Sequence, residues 1–570
     1  MEIKTAFVLA AGYGKRLAPI TDIAPKPLLK ISGKPLLFSI FDKLAKAGIA
    51  RTIVNTHHLD AEFDKAFAPF TKPQGGGFEC GKMDFEKIFE PEILDTGGAL
   101  KNAAARLAGV DALLVHNGDI LFTADIKRFL AAARAEFERA PDTAAVLCLR
   151  GSGAACNVGV RGSEVVDMRF ALGAESERNL QFTGVFAAGR KFLDAAQNFP
   201  KDVFSTVDVI LQLLAQKRGR IAFVEENGGT WNDIGTPEQY LKACKKDGDS
   251  LFADIAKIKC FGFSPKEFAA INKGASTRRF VRFTDAETDA QLVACFYDGK
   301  KREDALYAKI GKFLAANSVD VPEILKSCGR RKMLVMRSGG DTDLLSIAAE
   351  NPFAAAYYYG LAVENLRKLH TAATENFAKK PFEISQPFDE KLYDWEQNYF
   401  REECLKSRFG ADSTPELDAE LARIKSELLA QPLALLHRDF QSQNIMVNGR
   451  EISIIDFQGM RLGCALYDLA SLLCDPYVEL PDGLVDDLLR LYFRGKPNDA
   501  QMRIFRCAAC ERLMQALGAF GFLSIKRGKS EYANYIVPAL ERLAKNAELG
   551  GFDALKTAAE QCLKKAQKQK

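Results

Sequence analysis

Short apolar runs alternate with helix-like stretches through the first 240 residues, and this alternation constrains the fold more than any other feature. The runs of strand character are TAFVLAA, RTIVNTH, KIFEP, ALLVHNG and AAVLCLR, and helical stretches between them include PLLFSIFDKLAKAG, TGGALKNAAARLAG and DIKRFLAAARAEFERA. Because strands that alternate with helices form parallel pairs covered on both faces, this half predicts an α/β fold with a Rossmann-like, mixed but mainly parallel sheet. Ligands of such sheets bind beyond the carboxyl ends of the strands.

The rest of the chain has a different order of elements. After the charged helical stretch YLKACKKDGDSLFADIAK, the segments RRFVRFTD and AQLVACFYDG predict an antiparallel hairpin, KMLVMRSGG predicts another strand, and mostly helical sequence follows from about Asn351. At about 150 residues per domain, the chain is long enough for several domains. We predict one domain over residues 1–248 and a second over 260–570. The second has a small sheet lobe at about 260–345 and a helical lobe at about 346–570, which is the order of lobes in kinases.

Charge and apolarity exclude several classes of function. The 78 Lys and Arg residues against 74 Asp and Glu leave a net charge of +4, too balanced to indicate nucleic acid binding. No apolar run approaches the roughly 18 residues of a membrane helix, and the apolar core near the N-terminus is too short for a signal peptide. The 13 cysteines are scattered, which fits a reducing compartment. We expect a cytoplasmic protein that binds small molecules, with no nucleic acid and no membrane partner.

A glycine-rich loop, AGYGKR, follows the first predicted strand. Gly12 and Gly14 permit positive φ and a close approach of the backbone to a ligand, and the N–H groups of such a loop can surround a phosphate. Lys15 and Arg16 add charge-assisted hydrogen bonds to a triphosphate. Further on, Lys26 stands between two prolines, which restrict the backbone and fix the direction of its side chain.

Two acidic residues of the same half are predicted to lie at the end of a strand or in a turn. Asp119 belongs to HNGDI at the end of a predicted strand, and Asp233 belongs to the polar segment GTWNDIGTPEQY. Mg²⁺ prefers one or two carboxylates together with phosphate oxygens. The pair is therefore a candidate magnesium site.

Taken in order, these segments resemble the sugar-1-phosphate nucleotidylyltransferase family, whose pattern is G-x-G-x-R-L, P-K-P, G-D and W-x-D-x-G-T. The resemblance covers about residues 4–243. It implies nucleotide binding by Ala11, Gly12, Gly14 and Lys15, catalysis by Arg16 and Lys26, and Mg²⁺ held by Asp119 and Asp233.

Within that family, EPEILDTGGALKNA and LQFTGVFAAGRKFLDAA resemble segments of the uridylyltransferases that act on N-acetylmuramate 1-phosphate. This implies nucleotide contacts from Glu92, Gly97 and Gly98 and sugar contacts from Thr96, Asn157 and Thr183. For Asn157 and Thr183, capping of strand ends is an equally good explanation. The implied reaction is an in-line attack of the sugar phosphate on the α-phosphorus of UTP, and it needs no general base because the attacking phosphate is already anionic.

The segment HRDFQSQN, residues 437–444, matches the kinase catalytic loop H-R-D-x-x-x-x-N. In that pattern Asp439 accepts the proton of the substrate hydroxyl. Asn444, with Asp456 in the following IIDFQG, would hold Mg²⁺ on the phosphates of ATP. His437 is expected to have a structural role.

The run IDFQGMRLGCALYDLASLLCDPYV resembles the aminoglycoside phosphotransferase family, and within it the anomeric kinases of N-acetylmuramate and N-acetylglucosamine. Most small-molecule kinases carry a lysine on the strand that corresponds to LVACFYDGKK, but its interior here holds no lysine before Lys300. The loop NKGASTRRF is therefore the predicted phosphate-binding segment, through Ser276, Thr277 and Arg278.

The two resemblances complement each other, because an anomeric kinase makes the sugar 1-phosphate that a nucleotidylyltransferase consumes. They predict a bifunctional enzyme of peptidoglycan sugar recycling that uses ATP, UTP and Mg²⁺ at two sites. One alternative is a choline kinase joined to a phosphocholine cytidylyltransferase, with YDWEQNY as the cage for a quaternary ammonium. Others are a mannose or galactose kinase joined to a guanylyl- or uridylyltransferase, and a non-catalytic kinase-like module that regulates the transferase.

Overall fold

The computed structural model describes residues 2–31, 33–72, 78–80, 83–151, 153, 155–244, 251–271 and 278–568. The predicted residues Ser276 and Thr277 lie outside this described part. The chain divides into two compact units, residues 1–266 and 267–570. None of the helices in the described part combines the length and apolarity that crossing a membrane requires.

The first unit consists of a large central sheet with helices and smaller strand pairs. Its strands are β1 (Thr5–Leu9), β2 (Lys30–Ile31), β3 (Lys34–Pro35), β4 (Arg51–Thr56), β5 (Phe78–Cys80), β6 (Met83–Phe89), β7 (Ala112–Asn117), β8 (Leu121–Phe122), β9 (Thr143–Arg150), β10 (Cys156–Arg161), β11 (Glu164–Met168), β12 (Arg178–Gly189), β13 (Arg220–Glu225) and β14 (Trp231–Asn232). Its helices are α1 (Ile20–Ile23), α2 (Leu36–Lys46), α3 (Asp60–Phe67), α4 (Asp95–Asn102), α5 (Ile126–Arg139), α6 (Arg190–Gln197), α7 (Thr206–Ala215), α8 (Pro237–Cys244) and α9 (Leu251–Cys260).

The central sheet has the order β10-β11-β13-β9-β12-β7-β1-β4-β6-β5. Strands β7, β1, β4 and β6 are parallel, as are β9 and β13, whereas β12 runs antiparallel to both β7 and β9. The carboxyl ends of four parallel strands therefore meet at one edge. Helix α9 lies in the first unit and occupies most of the interval between the two predicted domains.

The strands of the first unit are continuous apolar runs because both faces of the central sheet are buried. The strand β9 is buried from Thr143 to Leu149, and β7 from Ala112 to His116. Polar residues mark where the covering helices begin: Asp125 accepts a hydrogen bond from the N–H of Arg128 at the start of α5, and Ser205 and Asp208 form a capping box at the start of α7.

The second unit has a small sheet followed by a helical region. Its strands are β15 (Pro265–Ile271), which begins at the end of the first unit, β16 (Arg279–Asp285), β17 (Gln291–Phe296), β18 (Ile324–Cys328), β19 (Met333–Arg337), β20 (Thr342–Asp343), β21 (Leu433–Leu436), β22 (Ile445–Asn448), β23 (Glu451–Ile454) and β24 (Arg461–Cys464). Its helices are α10 (Arg302–Ala316), α11 (Leu344–Glu350), α12 (Pro352–Lys368), α13 (Thr374–Lys379), α14 (Glu390–Tyr399), α15 (Ser407–Phe409), α16 (Pro415–Leu429), α17 (Leu466–Leu473), α18 (Asp482–Phe493), α19 (Asp499–Ile525), α20 (Ile536–Leu549) and α21 (Asp553–Lys568).

The small sheet has the order β15-β16-β17-β19-β18, with β16 and β17 forming the predicted antiparallel hairpin. The helical region is built around α19, which is buried along most of its length. Two π-helical segments, Leu369–Ala373 and Phe400–Lys406, continue α12 and α14. Gly521 of α19 lets the second segment approach closely, since a Cβ there would lie 2.4 Å from the carbonyl oxygen of Glu403. The predicted fold class, an α/β unit followed by a two-lobed kinase-like unit, is confirmed.

Candidate active sites

A cavity of about 200 Å³ opens where the parallel strands of the first unit end. Its lining combines the glycine-rich loop with residues at or just beyond the carboxyl ends of β1, β4, β6 and β7. They are Leu9, Ala10, Ala11, Gly12, Gly14, Lys26, Pro27, Asn55, Glu90, Ile93, Asp95, Thr96, Asn117 and Asp119. Six predicted site residues, Ala11, Gly12, Gly14, Lys26, Thr96 and Asp119, are thus brought together at the sheet edge that the strand–helix pattern predicted.

The glycine-rich loop is held by hydrogen bonds at its tip. Gly14 has φ of 64°, and a Cβ there would lie 2.9 Å from the side chain of Thr21, so the turn requires glycine. The Tyr13 hydroxyl lies 3.1 Å from Nε2 of His57, whose Nδ1 lies 2.8 Å from the carbonyl of Glu90. A Cβ on Gly12 would meet no described atom within 4 Å, so the space beside it is open to a ligand.

Lys26 connects the two predicted acidic residues. Its buried ammonium group donates to Oδ2 of Asp119 and to the backbone carbonyl of Asp233, both at 2.6 Å. The pairing of β8 with β14 causes this meeting, because it sets Trp231 opposite Phe122 and Asn232 opposite Leu121. Asp233 follows β14 directly and Asp119 precedes β8, so the ladder brings the Asp119 carboxylate and the backbone carbonyl of Asp233 to the same ammonium group.

The predicted cations of the loop differ in their surroundings. Arg16 is exposed, yet its Nη2 lies 3.5 Å from Oδ2 of Asp233, and it crosses Gly235 so closely that a Cβ there would lie 2.5 Å from Nη2. Lys15 is exposed and lies over the ring of Tyr13, 5.2 Å from its centroid. Both side chains are exposed, so a bound anion could contact them.

The residues present suit a divalent cation. Oδ1 of Asp233 is buried and accepts no hydrogen bond from the described residues, while the Asp119 carboxylate is partly open to solvent. No group of three or more His, Cys, Asp or Glu side chains in the described part could enclose an ion alone. Such a pair fits Mg²⁺, which takes few protein oxygens and completes its shell with phosphates and water.

The sequence analysis missed four polar residues of the cavity lining, Asn55, Glu90, Asp95 and Asn117, and the first two of these contact each other. Oδ1 of Asn55 accepts the N–H of Ala10 at 2.9 Å, and its Nδ2 donates to Oε1 of Glu90 at 2.9 Å. Glu90 is buried, and burial raises the pKa of its carboxyl, against the hydrogen bond from Asn55. A polar residue at the end of each neighbouring strand was the signal that could have identified both.

The other predicted nucleotide and sugar contacts are placed in different surroundings. Glu92 is exposed, and the N–H groups of Gly97 and Gly98 donate to the carbonyl of Phe204 at 2.8 and 3.0 Å. Thr96 lines the cavity while its hydroxyl accepts the N–H of Thr206.

The two residues for which strand-end capping was an equal alternative lie outside the cavity lining. Asn157 is half-buried in β10. The Thr183 hydroxyl is buried, donates to the carbonyl of Cys148 at 2.8 Å and accepts the N–H of Val185. For Thr183 the hydrogen bonds favour the capping explanation.

In the second unit, the catalytic-loop residues are linked by short contacts. Nδ2 of Asn444 donates to the backbone carbonyl of Asp439 at 2.9 Å, and the carbonyl of Asn444 accepts the N–H of Ile455, next to Asp456. The ring Nε2 of His437 lies 2.9 Å from the carbonyl of Ile455, which fits its expected structural role. Asp439, Asn444 and Asp456 therefore lie in one region, as the H-R-D-x-x-x-x-N spacing predicts.

A buried carboxylate fixes the backbone of this loop. Asp468 at the start of α17 accepts the N–H of His437 at 2.6 Å and that of Arg438 at 2.9 Å. Arg438 has φ of 81°, a left-handed conformation that a non-glycine residue rarely adopts without such support.

Arginines surround the predicted base. Burial opposes the charge of Asp439, but the positive charges of Arg438 and Arg512 outweigh it and hold the pKa of this carboxyl below its usual value. Nη2 of Arg512 lies 3.6 Å from Oδ1 of Asp439. Asp439 is therefore ionised at neutral pH and can accept a proton.

The metal-binding prediction for Asn444 and Asp456 is chemically consistent. One amide oxygen and one carboxylate are the oxygen donors that Mg²⁺ takes beside ATP phosphates. Asp456, which has φ of 69°, receives hydrogen bonds at Oδ1 from Arg278 and from Gln458. Arg278 is thus brought to the candidate site, while its predicted companions Ser276 and Thr277 are outside the described residues.

Fold and geometry bring together two sets of candidate site residues, one at a parallel sheet edge of the first unit and one in the kinase-like second unit. Residues 5–151 match the profile of the family described as Nucleotidyl transferase, and residues 267–505 match that of the Phosphotransferase enzyme family. The chain therefore contains one segment that matches a nucleotidyl transferase family and a second that matches a phosphotransferase family. The prediction of two transferase domains is confirmed.

Curated relatives divide in the same way. A mannose-1-phosphate guanylyltransferase of Mycobacterium tuberculosis is 30% identical over 42% of this chain and 62% of its own length. An N-acetylmuramate/N-acetylglucosamine kinase of Neisseria meningitidis is 27% identical over 50% of this chain and 87% of its own length. An N-acetylmuramate alpha-1-phosphate uridylyltransferase of the same species is 35% identical over 21% of this chain and 48% of its own length. The chain spans less than two thirds of the first and third of these relatives.

Proposed function

We propose that this chain phosphorylates the anomeric hydroxyl of N-acetylmuramate, and of N-acetylglucosamine, with ATP, and then transfers a uridylyl group from UTP to give the UDP-sugar. The observation that carries the proposal is the pairing in one chain of the two families whose reactions follow one another. Their relatives include a kinase and a uridylyltransferase that both act on N-acetylmuramate or its phosphate. The pathway served is the recycling of peptidoglycan sugars, and the site of action is the cytoplasm.

In the first step, Asp439 accepts the proton of the anomeric hydroxyl while its oxygen bonds to the γ-phosphorus of ATP and ADP leaves. Its ionisation is maintained by Arg438 and Arg512. Asp468 keeps the loop in place through the N–H groups of His437 and Arg438. Asn444 and Asp456 would hold Mg²⁺, which neutralises phosphate charge when bound.

In the second step, the phosphate of the sugar attacks the α-phosphorus of UTP and pyrophosphate leaves. Lys26 and Arg16 stabilise the negative charge that accumulates on the phosphate oxygens. Ala11, Gly12, Gly14 and Lys15 surround the triphosphate, and Asp119 and Asp233 would hold Mg²⁺ there. Thr96 lines the cavity and would contact the sugar, whereas the other predicted nucleotide and sugar contacts, Glu92, Gly97, Gly98, Asn157 and Thr183, lie outside its lining.

The test is incubation of the full chain with ATP, UTP, Mg²⁺ and a panel of free amino sugars, with products identified by mass spectrometry. The UDP-sugar is expected from the wild-type chain. Asp439→Asn should yield no sugar phosphate but should still convert added sugar 1-phosphate to UDP-sugar. With Lys26→Met, sugar 1-phosphate should accumulate because the second step is slowed. Undiminished ATP use by Asp439→Asn across the panel would refute the assigned base. If neither the wild-type chain nor Asp439→Asn phosphorylates any sugar, the hypothesis of a non-catalytic kinase-like module would be favoured instead.

A guanylyl donor is the second candidate, because the mannose-1-phosphate guanylyltransferase resembles the first unit over most of its length. GTP in place of UTP, with mannose and galactose in the panel, distinguishes the two. A GDP-sugar as the main product would move the assignment to a hexose kinase joined to a guanylyltransferase.

A further inference from the structure

The kinase-like sheet has no lysine where such a site usually needs one. Kinases hold the phosphates of ATP with a lysine on the third strand, paired with a glutamate on the adjacent helix. The residues of β17, from Gln291 to Phe296, include no lysine, and Ala294 and Cys295 are buried in its interior. The cation has to come from another element.

Arg278 directly precedes the neighbouring strand β16, and it brings a cation to the place where kinases have the strand lysine. Its Nη2 contacts Oδ1 of Asp456 at 2.5 Å, and its Nε lies 3.7 Å from Oδ1 of Asp304 on α10. The Arg278 side chain is 10% exposed and that of Asp304 only 3%, whereas 36% of the Asp456 side chain remains open. One guanidinium therefore bridges a buried helix carboxylate and the exposed carboxylate of the predicted metal site.

We propose that Arg278 replaces the strand lysine as the cation that grips the ATP phosphates, and that Asp304 takes the part of the helix glutamate that holds it. The inference rests on the proposed kinase activity of the second unit. A guanidinium has five N–H donors in a planar fork, so it can keep its contact with Asp304 and still bind two phosphate oxygens. On nucleotide binding, its contact with Asp456 gives way to phosphate, which leaves the Asp456 carboxylate for the metal.

Nucleotide affinity in the absence of metal is the direct test, since it depends on Arg278 and needs no sugar. Titration calorimetry of the full chain with a non-hydrolysable ATP analogue in EDTA should show affinity at least about tenfold weaker in Arg278→Met than in the wild type. In turnover, Arg278→Met should raise the KM for ATP and lower kcat, about a hundredfold together, with the KM for the sugar unchanged. Arg278→Lys should restore part of the loss.

Arg282→Met is the matched control, because Arg282 lies on β16, four residues after Arg278, and pairs with the exposed Asp341 instead. It should bind the analogue like the wild type. Asp304→Asn should weaken analogue binding without abolishing it. Nucleotidyl transfer by the first unit checks the concentration of each variant, and thermal unfolding checks that the second unit is folded. If Arg278→Met unfolds because Asp304 is left buried and unpaired, the double variant with Asp304→Asn removes both charges and takes its place.

Equal analogue affinity in Arg278→Met and the wild type would overturn the proposal, as would equal losses in Arg278→Met and Arg282→Met. A lower Tm of Arg278→Met with unchanged analogue affinity would also overturn the proposal, because the contacts of Arg278 would then be structural ion pairs only. A wild-type chain that binds the analogue but phosphorylates no sugar would contradict the proposed function alone, because the binding comparison still decides the part played by Arg278.

Discussion

Lys26 is the residue on which the first site depends most, because its buried ammonium group contacts both predicted metal-binding residues. Lys26→Met should lower kcat for nucleotidyl transfer by about 10²–10³-fold, the usual cost of losing a group that stabilises developing charge. Lys34→Met is the control, since Lys34 is half-exposed and pairs with Asp42. Steady-state pyrophosphate release measures both, and sugar phosphorylation should be unchanged. Equal activity of the two variants would remove Lys26 from the reaction.

Glu396 predicts a pH dependence of stability. It is fully buried, and burial raises its pKa to about 7 against the effect of Arg438 and Arg512, while Tyr467 donates a hydrogen bond to it. The folded chain keeps a proton that the unfolded chain loses above about pH 4.5. The stability contributed by this group is therefore complete below about pH 4.5 and declines as pH rises to about 7.

The free energy of unfolding should fall by less between pH 5 and pH 7.5 in Glu396→Gln than in the wild type. The two decreases should differ by up to about 3 kcal/mol. Urea unfolding at several pH values measures the difference. Glu390→Gln, at an exposed position of the same helix, should leave the wild-type dependence intact. A steep decline retained in Glu396→Gln would show that this carboxyl is not the group responsible.

At the scale of elements, the contact between α17 and the catalytic loop carries a second prediction. An Asp468→Asn side chain has the same shape but only one acceptor atom, so one of the two N–H groups of His437 and Arg438 would face an amide donor. A buried unpaired N–H costs about 1–3 kcal/mol, and the shifted loop should lower kinase kcat at least about tenfold. Thermal unfolding and initial rates measure these effects. Asp482→Asn, on the surface and paired with Lys545, should change neither, and an active, stable Asp468→Asn would contradict the anchoring role.

At the scale of the whole molecule, each unit has a hydrophobic core of its own, one among residues 7–221 and the other among residues 293–562. Helix α9 belongs to the first unit, with Ile255 and Ile258 buried and Lys259 bonded to the carbonyl of Ala18. A fragment of residues 1–266 should therefore fold and transfer nucleotides. The fragment 1–248, which follows the domain boundary predicted from the sequence, should be less stable by about 3–6 kcal/mol through the loss of two buried isoleucines. Urea unfolding of both fragments tests this, and equal stability would show that α9 is dispensable.

Local signals predicted much of this molecule. The glycine-rich loop, the catalytic loop and the β16–β17 hairpin are each specified by residues close together in the chain, since turn geometry and apolar periodicity act over a few positions. For the same reason, Asp439, Asn444 and Asp456 could be expected together before any coordinates. What the sequence left uncertain were residues whose surroundings are distant in the chain, such as Asn55 with Glu90 and the hydroxyl of Thr183.

The sequence by itself determined the fold class and which residues are candidates for binding phosphate. Tertiary structure alone decided which of these residues meet. Lys26 and Asp119 are 93 positions apart, and Arg278 and Asp456 are 178 apart, so both contacts depend on how strands are ordered and paired. The meeting of Arg278 with Asp304 and Asp456 could not be predicted from spacing, because a charged side chain leaves no periodic signal of the partner it finds across a fold.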